Sequence, residues 1–408
     1  MEDFKKNKSM GIIEASTYSI LCGVAISVIF PGSIIYGFIM NAIGVGGIGY
    51  YALSWSKFDQ LFKNLQLGKE NCYPIQKSKT KTDFSTVYKF TLPAGLCLED
   101  FKDNKEAIEN FLGKDIEIRY TFKEIEIEVY NNSIKSNIPY EKQEIEGYVP
   151  IVFGMDRTNN LISCDLGNGE PHLLIAGETG SGKSTVLRSI ITNLILTTDI
   201  KLHLVDLKMG TEFNVFQKSS HIATFSRTIS EAEQVLADLD NEVVRRYQLF
   251  YEKDVKDIVE YNKKFKRNKL GYEVVIIDEF ADLQNSKTAK FELDELGRKA
   301  RACGIHMILS TQRPDAKVLS GNIKSNVTNV LGLKTLNSTN SHIILDDTGL
   351  EKLRGNGHAI FKRRGTTELQ CFNLSVDECR KLIKDTYVKK TPVKMEPVIK
   401  DFSFMEDL

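Results

Sequence analysis

A glycine-rich run of eight residues is the segment of this sequence best suited to chemistry. Residues 177–184 read GETGSGKS, which is the G-x-x-x-x-G-K-[ST] spacing of a phosphate-binding loop. Its glycines let the backbone wrap closely so that N–H groups point at phosphate oxygens, Lys183 adds positive charge, and the Ser184 hydroxyl is a ligand for Mg²⁺. The sequence therefore predicts a site for ATP and Mg²⁺. The residues predicted to bind ATP are Gly177, Glu178, Thr179, Gly180, Ser181, Gly182, Lys183, Ser184 and Thr185.

Two acids follow a second apolar run. Residues 274–277 are all Val or Ile, and Asp278 and Glu279 come directly after them. In α/β folds ligands bind at the carboxyl ends of buried strands, which is where this pair would lie. We expect Asp278 to hold the Mg²⁺ shell together with Ser184, and Glu279 to orient and activate the attacking water. A solvated strand end is the alternative, which the phosphate loop makes less attractive.

Two more residues are candidates for catalysis. Gln312 follows the apolar run 305–309 in a polar segment and is predicted to lie near the γ-phosphate. Arg298 and Arg301 lie three apart on the preceding helix, hence on one face. An arginine there is placed to reach the nucleotide of a neighbouring subunit and to stabilise charge in the transition state. The alternative for Gln312 is an ordinary polar loop, and the alternative for Arg298 and Arg301 is a solvated helix face.

The elements around these residues alternate between strands and helices. Short apolar runs at 173–176, 202–205, 274–277, 305–309 and 330–333 are separated by helical segments, one of them at 184–196. Such runs are typical of a buried parallel sheet with helices on both faces, so the predicted fold class is α/β. The segment 230–233, SEAE, predicts a capping box at the start of another helix.

The N-terminal region contains no charged residue from Ala15 to Ser56. A single helix of that length would be about twice as long as a bilayer core is thick, and Pro31-Gly32 supplies a break. We expect a transmembrane helical hairpin with spans near 15–30 and 34–53. Lysines flank both outer ends, which predicts a multi-pass protein of the cell membrane with both termini and the ATPase domain in the cytoplasm. The alternatives are a cleaved signal peptide and a buried hairpin of a soluble domain.

The pattern divides the chain of 408 residues into five parts. These are an N-terminal segment with two transmembrane helices (1–56), a linker (57–83), a small α+β module (84–147), a P-loop ATPase domain (148–388) and a C-terminal tail (389–408). Charge is balanced at 54 basic and 54 acidic residues, which argues against a generally basic nucleic-acid coat protein. The seven scattered cysteines show no C-x-x-C spacing, which favours reduced thiols.

Several motifs in order resemble the FtsK/SpoIIIE family of DNA translocases. They are residues 172–184 (HLLIAGETGSGKS), 275–283 (VIIDEFADL), 299–306 (KARACGIH), 310–314 (STQRP), 323–326 (IKSN), 344–346 (ILD) and 355–357 (GNG). The resemblance implies a RecA-like P-loop ATPase that works as a ring, typically a homo-hexamer, and pumps double-stranded DNA through a central pore. It also implies that Arg301 acts in trans, and it places Lys208 in the family's Asp-x-Lys strand end.

The layout differs from that of the cell-division translocases in this family. Those proteins usually carry more membrane spans, a long linker and a C-terminal winged helix, for which no room is expected after about residue 388. The layout resembles the coupling proteins of conjugative elements, whose partners are a relaxase and channel proteins and whose DNA is single-stranded or double-stranded. The alternatives are a chromosome-segregation translocase, a protein-export ATPase of the same superfamily and a non-catalytic scaffold.

Overall fold

The computed structural model describes residues 57–68, 72–208, 210–313, 315, 318–319 and 321–388, together with a few single positions between 17 and 43. The predicted transmembrane spans and the C-terminal tail therefore lie outside the described residues, apart from those single positions. Among the residues that the structure describes, no helix combines the length and the apolar character that crossing a bilayer requires. The chain divides into two compact units, Met1–Ser133 and Ile134–Leu408.

Among the described residues from 57 to 133, the first unit is a four-stranded antiparallel sheet with three helices. Its strands have the order β1-β2-β4-β3. Their bounds are β1 Gln76–Lys81, β2 Ser85–Thr91, β3 Ile116–Thr121 and β4 Glu124–Tyr130, and the helices are α1 Lys57–Asn64, α2 Leu98–Asp103 and α3 Lys105–Leu112. The predicted α+β module is present, although the single helix expected over 98–112 is divided at Asn104.

The segment predicted to be a linker belongs to this unit. Phe58 and Phe62 of α1 are fully buried, and their rings lie 4.9 and 5.0 Å from the ring of Phe90 on β2. The physical reason is the apolar face of α1, which repeats at helical spacing and needs a partner surface. The boundary between the units also falls at residues 133 and 134, earlier than the expected boundary at 147.

In the part of the second unit that the structure describes, the core is a sheet of eleven strands. The order is β10-β9-β11-β12-β8-β13-β14-β15-β6-β7, with β5 paired to β15. The bounds are β5 Ile138–Pro139, β6 Pro150–Asp156, β7 Leu161–Asp165, β8 His172–Ala176, β9 Lys201–Val205, β10 Ile222–Ser226, β11 Glu273–Ile277, β12 Ile305–Thr311, β13 Asn329–Leu333, β14 His358–Lys362 and β15 Thr366–Asn373. The six strands that are neighbours in the order β10-β9-β11-β12-β8-β13 are parallel to one another. The other strands extend the sheet mainly by antiparallel pairing.

Helices cover both faces of this sheet. Their bounds are α4 Lys183–Thr197, α5 Ile229–Glu252, α6 Ile258–Lys264, α7 Lys287–Cys303, α8 Gly321–Asn326, α9 Ser338–Leu345 and α10 Val376–Ile383. Alternate residues of β8 point to opposite faces, so that Leu174 packs in the core with α5 and α7, whereas Leu173 packs in the core with α4 and α10. The predicted α/β fold with helices on both faces is confirmed, and the sheet is mixed rather than wholly parallel.

Strand β12 lies between β8 and β11. An additional strand therefore separates the strand that precedes the phosphate loop from the strand that ends in the acid pair. The expected capping box at residues 230–233 is wrong, because the observed one begins two residues earlier. Helix α5 is instead capped by Thr228, whose side chain accepts a hydrogen bond from the backbone N–H of Glu231, while the Glu231 carboxylate accepts one from the N–H of Thr228.

Candidate functional site

The phosphate loop joins β8 to α4 in a conformation that its glycines make possible. Gly180 and Gly182 have φ values of 82° and 102°, in the region where side chains other than that of glycine are strained. A Cβ on Gly182 would also lie 2.4 Å from the backbone nitrogen of Gly357, which leaves no space for a side chain. The loop ends at the N-terminus of α4, where free backbone N–H groups and the helix dipole favour an anion.

Three backbone hydrogen bonds fix this loop to its neighbours. Gly177 N–H donates to the carbonyl of Thr311 over 3.2 Å, and Glu178 N–H donates to that of Lys334 over 3.1 Å. Gly357 N–H donates to the carbonyl of Ser181 over 2.8 Å. The loop is therefore held in shape by the ends of β12 and β13 and by the turn that precedes β14.

The Walker-type lysine and the first acid form a buried ion pair. Nζ of Lys183 lies 2.6 Å from Oδ1 of Asp278, and the two side chains are 3% and 1% exposed. The second oxygen, Oδ2, is buried and has no hydrogen-bond partner among the described residues, although Nζ of Lys208 lies 3.7 Å from it. An unsatisfied buried carboxylate oxygen close to a phosphate loop fits the hydration shell of Mg²⁺, so Asp278 and Ser184 remain the residues expected to hold the ion.

The second acid is held by the end of β12. Thr311 Oγ1 donates a hydrogen bond to Oε1 of Glu279 over 2.6 Å, and the N–H of Gln312 donates to Oε2 over 2.9 Å. Glu279 is only 4% exposed, so these two bonds determine where its carboxylate points. The arrangement keeps Glu279 beside the phosphate loop as an acceptor for a proton.

Gln312 contacts the phosphate loop directly. Its side-chain Oε1 accepts a hydrogen bond from Thr179 Oγ1 over 3.1 Å. The structure thus brings together the predicted loop residues, the acid pair and Gln312 at the carboxyl edge of three strands, β8, β11 and β12. Gln312 is therefore linked to the phosphate loop through Thr179.

Arg301 lies far from the phosphate loop of its own chain. It is exposed near the end of α7, and its side chain makes no hydrogen bond or ion pair with the described residues. Strand β12 begins at Ile305 and runs seven residues to Thr311 at the phosphate loop, a distance of about 20 Å. Arg301 therefore has no route to its own nucleotide, and a catalytic role requires a second subunit. Arg298, on the same helix, pairs with Glu295.

The comparisons with known proteins agree with this geometry. Residues 139–316 match the FtsK/SpoIIIE family. The chain is 38% identical over 224 residues to the DNA translocase FtsK of Caldanaerobacter subterraneus subsp. tengcongensis, which covers 53% of this chain and 31% of that protein. It is 36% identical over 250 residues to the DNA translocase SpoIIIE of Bacillus subtilis, which covers 57% of this chain and 32% of that protein.

A solved structure extends the likeness over most of the chain. The pCW3 conjugation coupling protein TcpA, in its monomer form with ATPγS, is 30% identical with a TM-score of 0.58, over 80% of this chain and 96% of that one. The chain belongs to the FtsK/SpoIIIE family. The resemblance predicted from its motifs is confirmed, and the family is one of P-loop ATPases. The matches to FtsK and SpoIIIE span about a third of the length of those curated relatives.

Some residues of this FtsK/SpoIIIE site were not assigned from the sequence. Thr311 positions Glu279 through a hydrogen bond, and its place in the motif at residues 310–314 was the signal that could have found it. Asn340 at the start of α9 donates a hydrogen bond from Nδ2 to Oε1 of Glu178 over 2.9 Å, and no motif signals this contact. Lys208 lies within ion-pair distance of Asp278, and the Asp-x-Lys pattern at the end of β9 was its signal.

Proposed function

We propose that this protein is an ATP-driven DNA translocase, specifically the membrane-anchored coupling protein that delivers DNA to a conjugative transfer channel. The observation that carries the proposal is the buried pair of Lys183 and Asp278, with Glu279 beside it, in a chain that resembles a conjugation coupling protein over 96% of that protein's length. The proposal for the substrate rests on relatives whose names describe DNA translocases.

The residues of the site divide the work of ATP hydrolysis. Backbone N–H groups of the phosphate loop and the ammonium group of Lys183 hold the phosphates. Ser184 and Asp278 would hold Mg²⁺, which would supply positive charge to the phosphate oxygens when bound. Glu279 accepts a proton from the attacking water. The hydrogen bond from Thr311 fixes the carboxylate of Glu279 in the position from which it can do so.

Conversion of hydrolysis into movement requires a ring of subunits. Arg301 lies about 20 Å from the phosphate loop of its own chain along β12, so it serves the site of a neighbour. Gln312 joins the loop to β12 and transmits the loss of the γ-phosphate. A homo-hexamer is the assembly that the family suggests.

The DNA contact is expected to be mainly electrostatic. The charge of the whole chain is balanced, so the basic groups that contact DNA must be concentrated on one surface of the ring. Contacts of this kind go to phosphates, and they make binding sensitive to salt and weakly dependent on sequence. The likeness to TcpA favours a conjugative role over chromosome segregation, with a relaxase and channel proteins as partners and an N-terminal hairpin as the membrane anchor.

The test is ATP hydrolysis by the full chain with double-stranded DNA, single-stranded DNA or no DNA, at two salt concentrations. Stimulation by either form of DNA that falls as salt rises supports the proposal, and the Lys183→Ala variant sets the background. A rate of ATP hydrolysis that neither form of DNA changes contradicts a DNA motor and favours export of a different polymer. Loss of plasmid transfer, with chromosome segregation intact, in cells carrying Lys183→Ala separates conjugation from segregation.

A further inference from the structure

Three lysines of the first unit, Lys57 on α1 and Lys79 and Lys81 on β1, form a basic cluster. Nζ of Lys57 and Nζ of Lys79 lie 5.7 and 5.6 Å from the centroid of the same ring, that of Tyr88. Lys81 is two residues from Lys79 and therefore projects from the same side of β1. The three lysines are exposed, and in the part of the chain that the structure describes no carboxylate lies within ion-pair distance of them.

Two other lysines of this unit are neutralised by acids. Nζ of Lys77 lies 2.8 Å from Oε1 of Glu124, and Nζ of Lys89 lies 2.5 Å from Oε1 of Glu126. Both acids are on β4 and point away from the helices, because Ile125 between them is fully buried. The face of the sheet without helices therefore balances these charges, whereas the basic cluster keeps its positive charge.

An exposed aromatic ring lies close to the basic cluster. Phe84 is in the turn between β1 and β2, three residues after Lys81, and is 41% exposed. Asp83 is the only acidic residue in the segment 76–84, which contains three lysines. Lysines beside an exposed ring suit a phospholipid surface, because ammonium groups bind the phosphates of the headgroups while the ring enters the boundary with the acyl chains.

The chain enters this unit directly from the segment that we propose as the membrane anchor. Residues 15–56 contain no charged residue, and Lys57 is both the next residue and the first residue of α1. A chain that leaves a bilayer at residue 56 would place Lys57 at the level of the headgroups. Because Lys57 and Lys79 contact the same ring, β1 would then face the same surface.

We propose that the basic cluster and Phe84 bind anionic phospholipid headgroups on the cytoplasmic side of the membrane. The proposal rests on the membrane anchor of the proposed function and adds a second contact with the bilayer. Each lysine at such a surface strengthens binding by about fivefold, and salt weakens the attraction by screening it. DNA phosphates also attract lysines, but the position of the cluster directly after a charge-free segment favours lipid.

The opposite end of the same sheet provides a matched control. Phe122 lies in the turn between β3 and β4 and is 85% exposed. The carbonyl of Phe84 accepts a hydrogen bond from the N–H of Asn131, beside the end of β4, whereas Phe122 lies two residues before its start at Glu124, about 20 Å away. Phe122 is therefore more exposed than Phe84 and distant from the basic cluster.

The experiment places a single tryptophan at either end of this sheet. Trp55, the one tryptophan of the chain, is replaced by Phe, and Phe84→Trp or Phe122→Trp is introduced into that full chain. Each variant is reconstituted in nanodiscs of brominated phosphatidylcholine with or without phosphatidylglycerol, and quenching of its fluorescence by bromine is measured. We expect quenching of Phe84→Trp that requires phosphatidylglycerol and falls as salt rises, and little quenching of Phe122→Trp in either disc.

Lysine variants then test the basic cluster itself. Replacement of Lys57, Lys79 and Lys81 together by Gln, in the chain with Phe84→Trp, should reduce quenching to the level of Phe122→Trp. Lys77→Gln is the control, because Lys77 lies on the same strand but is already paired with Glu124, and its quenching should not change. Loss of quenching in Lys77→Gln equal to that in the triple variant overturns the assignment to the basic cluster.

The outcomes separate this surface from the membrane anchor. Equal quenching at the two positions, or quenching of Phe84→Trp that phosphatidylglycerol does not increase, overturns the lipid surface and leaves the anchor intact. A change in the emission of Phe84→Trp on addition of duplex DNA, in discs that do not quench it, overturns the lipid surface and assigns the lysines to nucleic acid. A chain that enters neither kind of disc overturns the anchor and the surface together.

Discussion

Nζ of Lys183 lies 2.6 Å from Oδ1 of Asp278, and it also lies 3.1 Å from the backbone carbonyl oxygen of the same residue. Both side chains are almost fully buried, at 3% and 1% exposed. A phosphate that takes Lys183 must therefore displace it from Asp278, and that exchange frees Asp278 for the shell of Mg²⁺. Lys183 therefore contributes to the stability of the folded chain as well as to the binding of ATP.

Replacement of Lys183 should therefore affect stability as well as activity. In Lys183→Met the Asp278 carboxylate stays buried without its partner, which typically costs about 3–5 kcal/mol. We expect ATP hydrolysis to be lost and the free energy of unfolding in urea to fall. The double variant Lys183→Met/Asp278→Asn should regain most of that stability and none of the activity. A single variant as stable as wild type would show that the pair is not formed.

Lys208 should tune how tightly Asp278 holds Lys183. Its Nζ lies 3.7 Å from Oδ2 of Asp278, and its side chain is 40% exposed. Lys208→Met leaves Lys183 as the nearest cation, so the Asp278 carboxylate retains it more strongly against ATP. We expect KM for ATP to rise by up to about fivefold with little change in kcat, because a partly exposed pair contributes at most about 1 kcal/mol.

Two variants control for the charge of Lys208. Lys208→Arg keeps the positive charge and should stay near wild type. Lys201→Met removes an exposed lysine at the start of β9, the strand that precedes Lys208 in the chain, and should have no effect. A change of KM in Lys201→Met as large as that in Lys208→Met would point to the net charge of the protein instead of the contact with Asp278.

Glu279 and Thr311 should differ in which kinetic constant depends on them. Glu279→Gln removes the proton acceptor, and we expect kcat to fall by about 10²–10⁴-fold while ADP affinity is unchanged. Thr311→Val keeps Glu279 but removes the hydrogen bond of 2.6 Å that orients its carboxylate. Its kcat should therefore lie between that of wild type and that of Glu279→Gln. Equal kcat values for Thr311→Val and wild type would show that the backbone N–H of Gln312 is sufficient to orient Glu279.

The parallel part of the fold could be predicted from the sequence, and the reason is burial. Strands β8, β9, β11, β12 and β13 are buried along nearly their whole length, so each contains a short, mainly apolar run that can be recognised in the sequence. Strands β14 and β15 carry mixed residues and were not predicted, since their antiparallel pairing beside β13 depends on distant segments.

The parts of the site that are contiguous in sequence could be predicted from local motifs. The parts contributed by segments distant in sequence were not predicted. The phosphate loop and the acid pair are each contiguous, so their residues were found. The turn at residues 355–357 supports the loop through the hydrogen bond from Gly357 to Ser181, across more than 170 residues of chain. Its three residues have φ values of 88°, 52° and 83°. Glycine and asparagine tolerate this conformation, but the letters GNG alone do not predict a contact with the phosphate loop.

Arg301 should act on the nucleotide of a neighbouring subunit. Arg301→Ala alone should lower kcat by about 10³-fold or more and leave ADP binding intact, as loss of a trans-acting arginine does. Arg298→Ala is the matched control, because Arg298 lies on the same helix and is already paired with Glu295. Its kcat should stay near that of wild type.

Mixing two inactive variants tests whether Arg301 acts in trans. In rings formed from equal amounts of Lys183→Ala and Arg301→Ala, about a quarter of the interfaces join an intact phosphate loop to an intact arginine. Activity should therefore return on mixing. A mixture as inactive as its components, with mixed rings demonstrated by pull-down of differently tagged chains, would exclude this role.

Acid should weaken the support of the phosphate loop through Glu368. Burial alone would raise the pKa of this carboxyl, but the neighbouring His358 and Arg157 outweigh burial and hold the pKa at about 2. A carboxyl with a lowered pKa contributes stability above its ordinary pKa near 4.5 and loses that contribution as pH falls towards 2. His358 directly follows Gly357, so this loss reaches the turn that holds Ser181.

Glu368→Gln should remove part of this pH dependence. The urea midpoint of wild type should fall steeply between pH 4.5 and pH 2, whereas that of Glu368→Gln should start lower at pH 7 and fall less over the same interval. Glu146→Gln, at an exposed glutamate, should follow the wild-type curve. Parallel curves for wild type and Glu368→Gln would mean that the cluster of Glu368, His358 and Arg157 does not set the acid stability of this region.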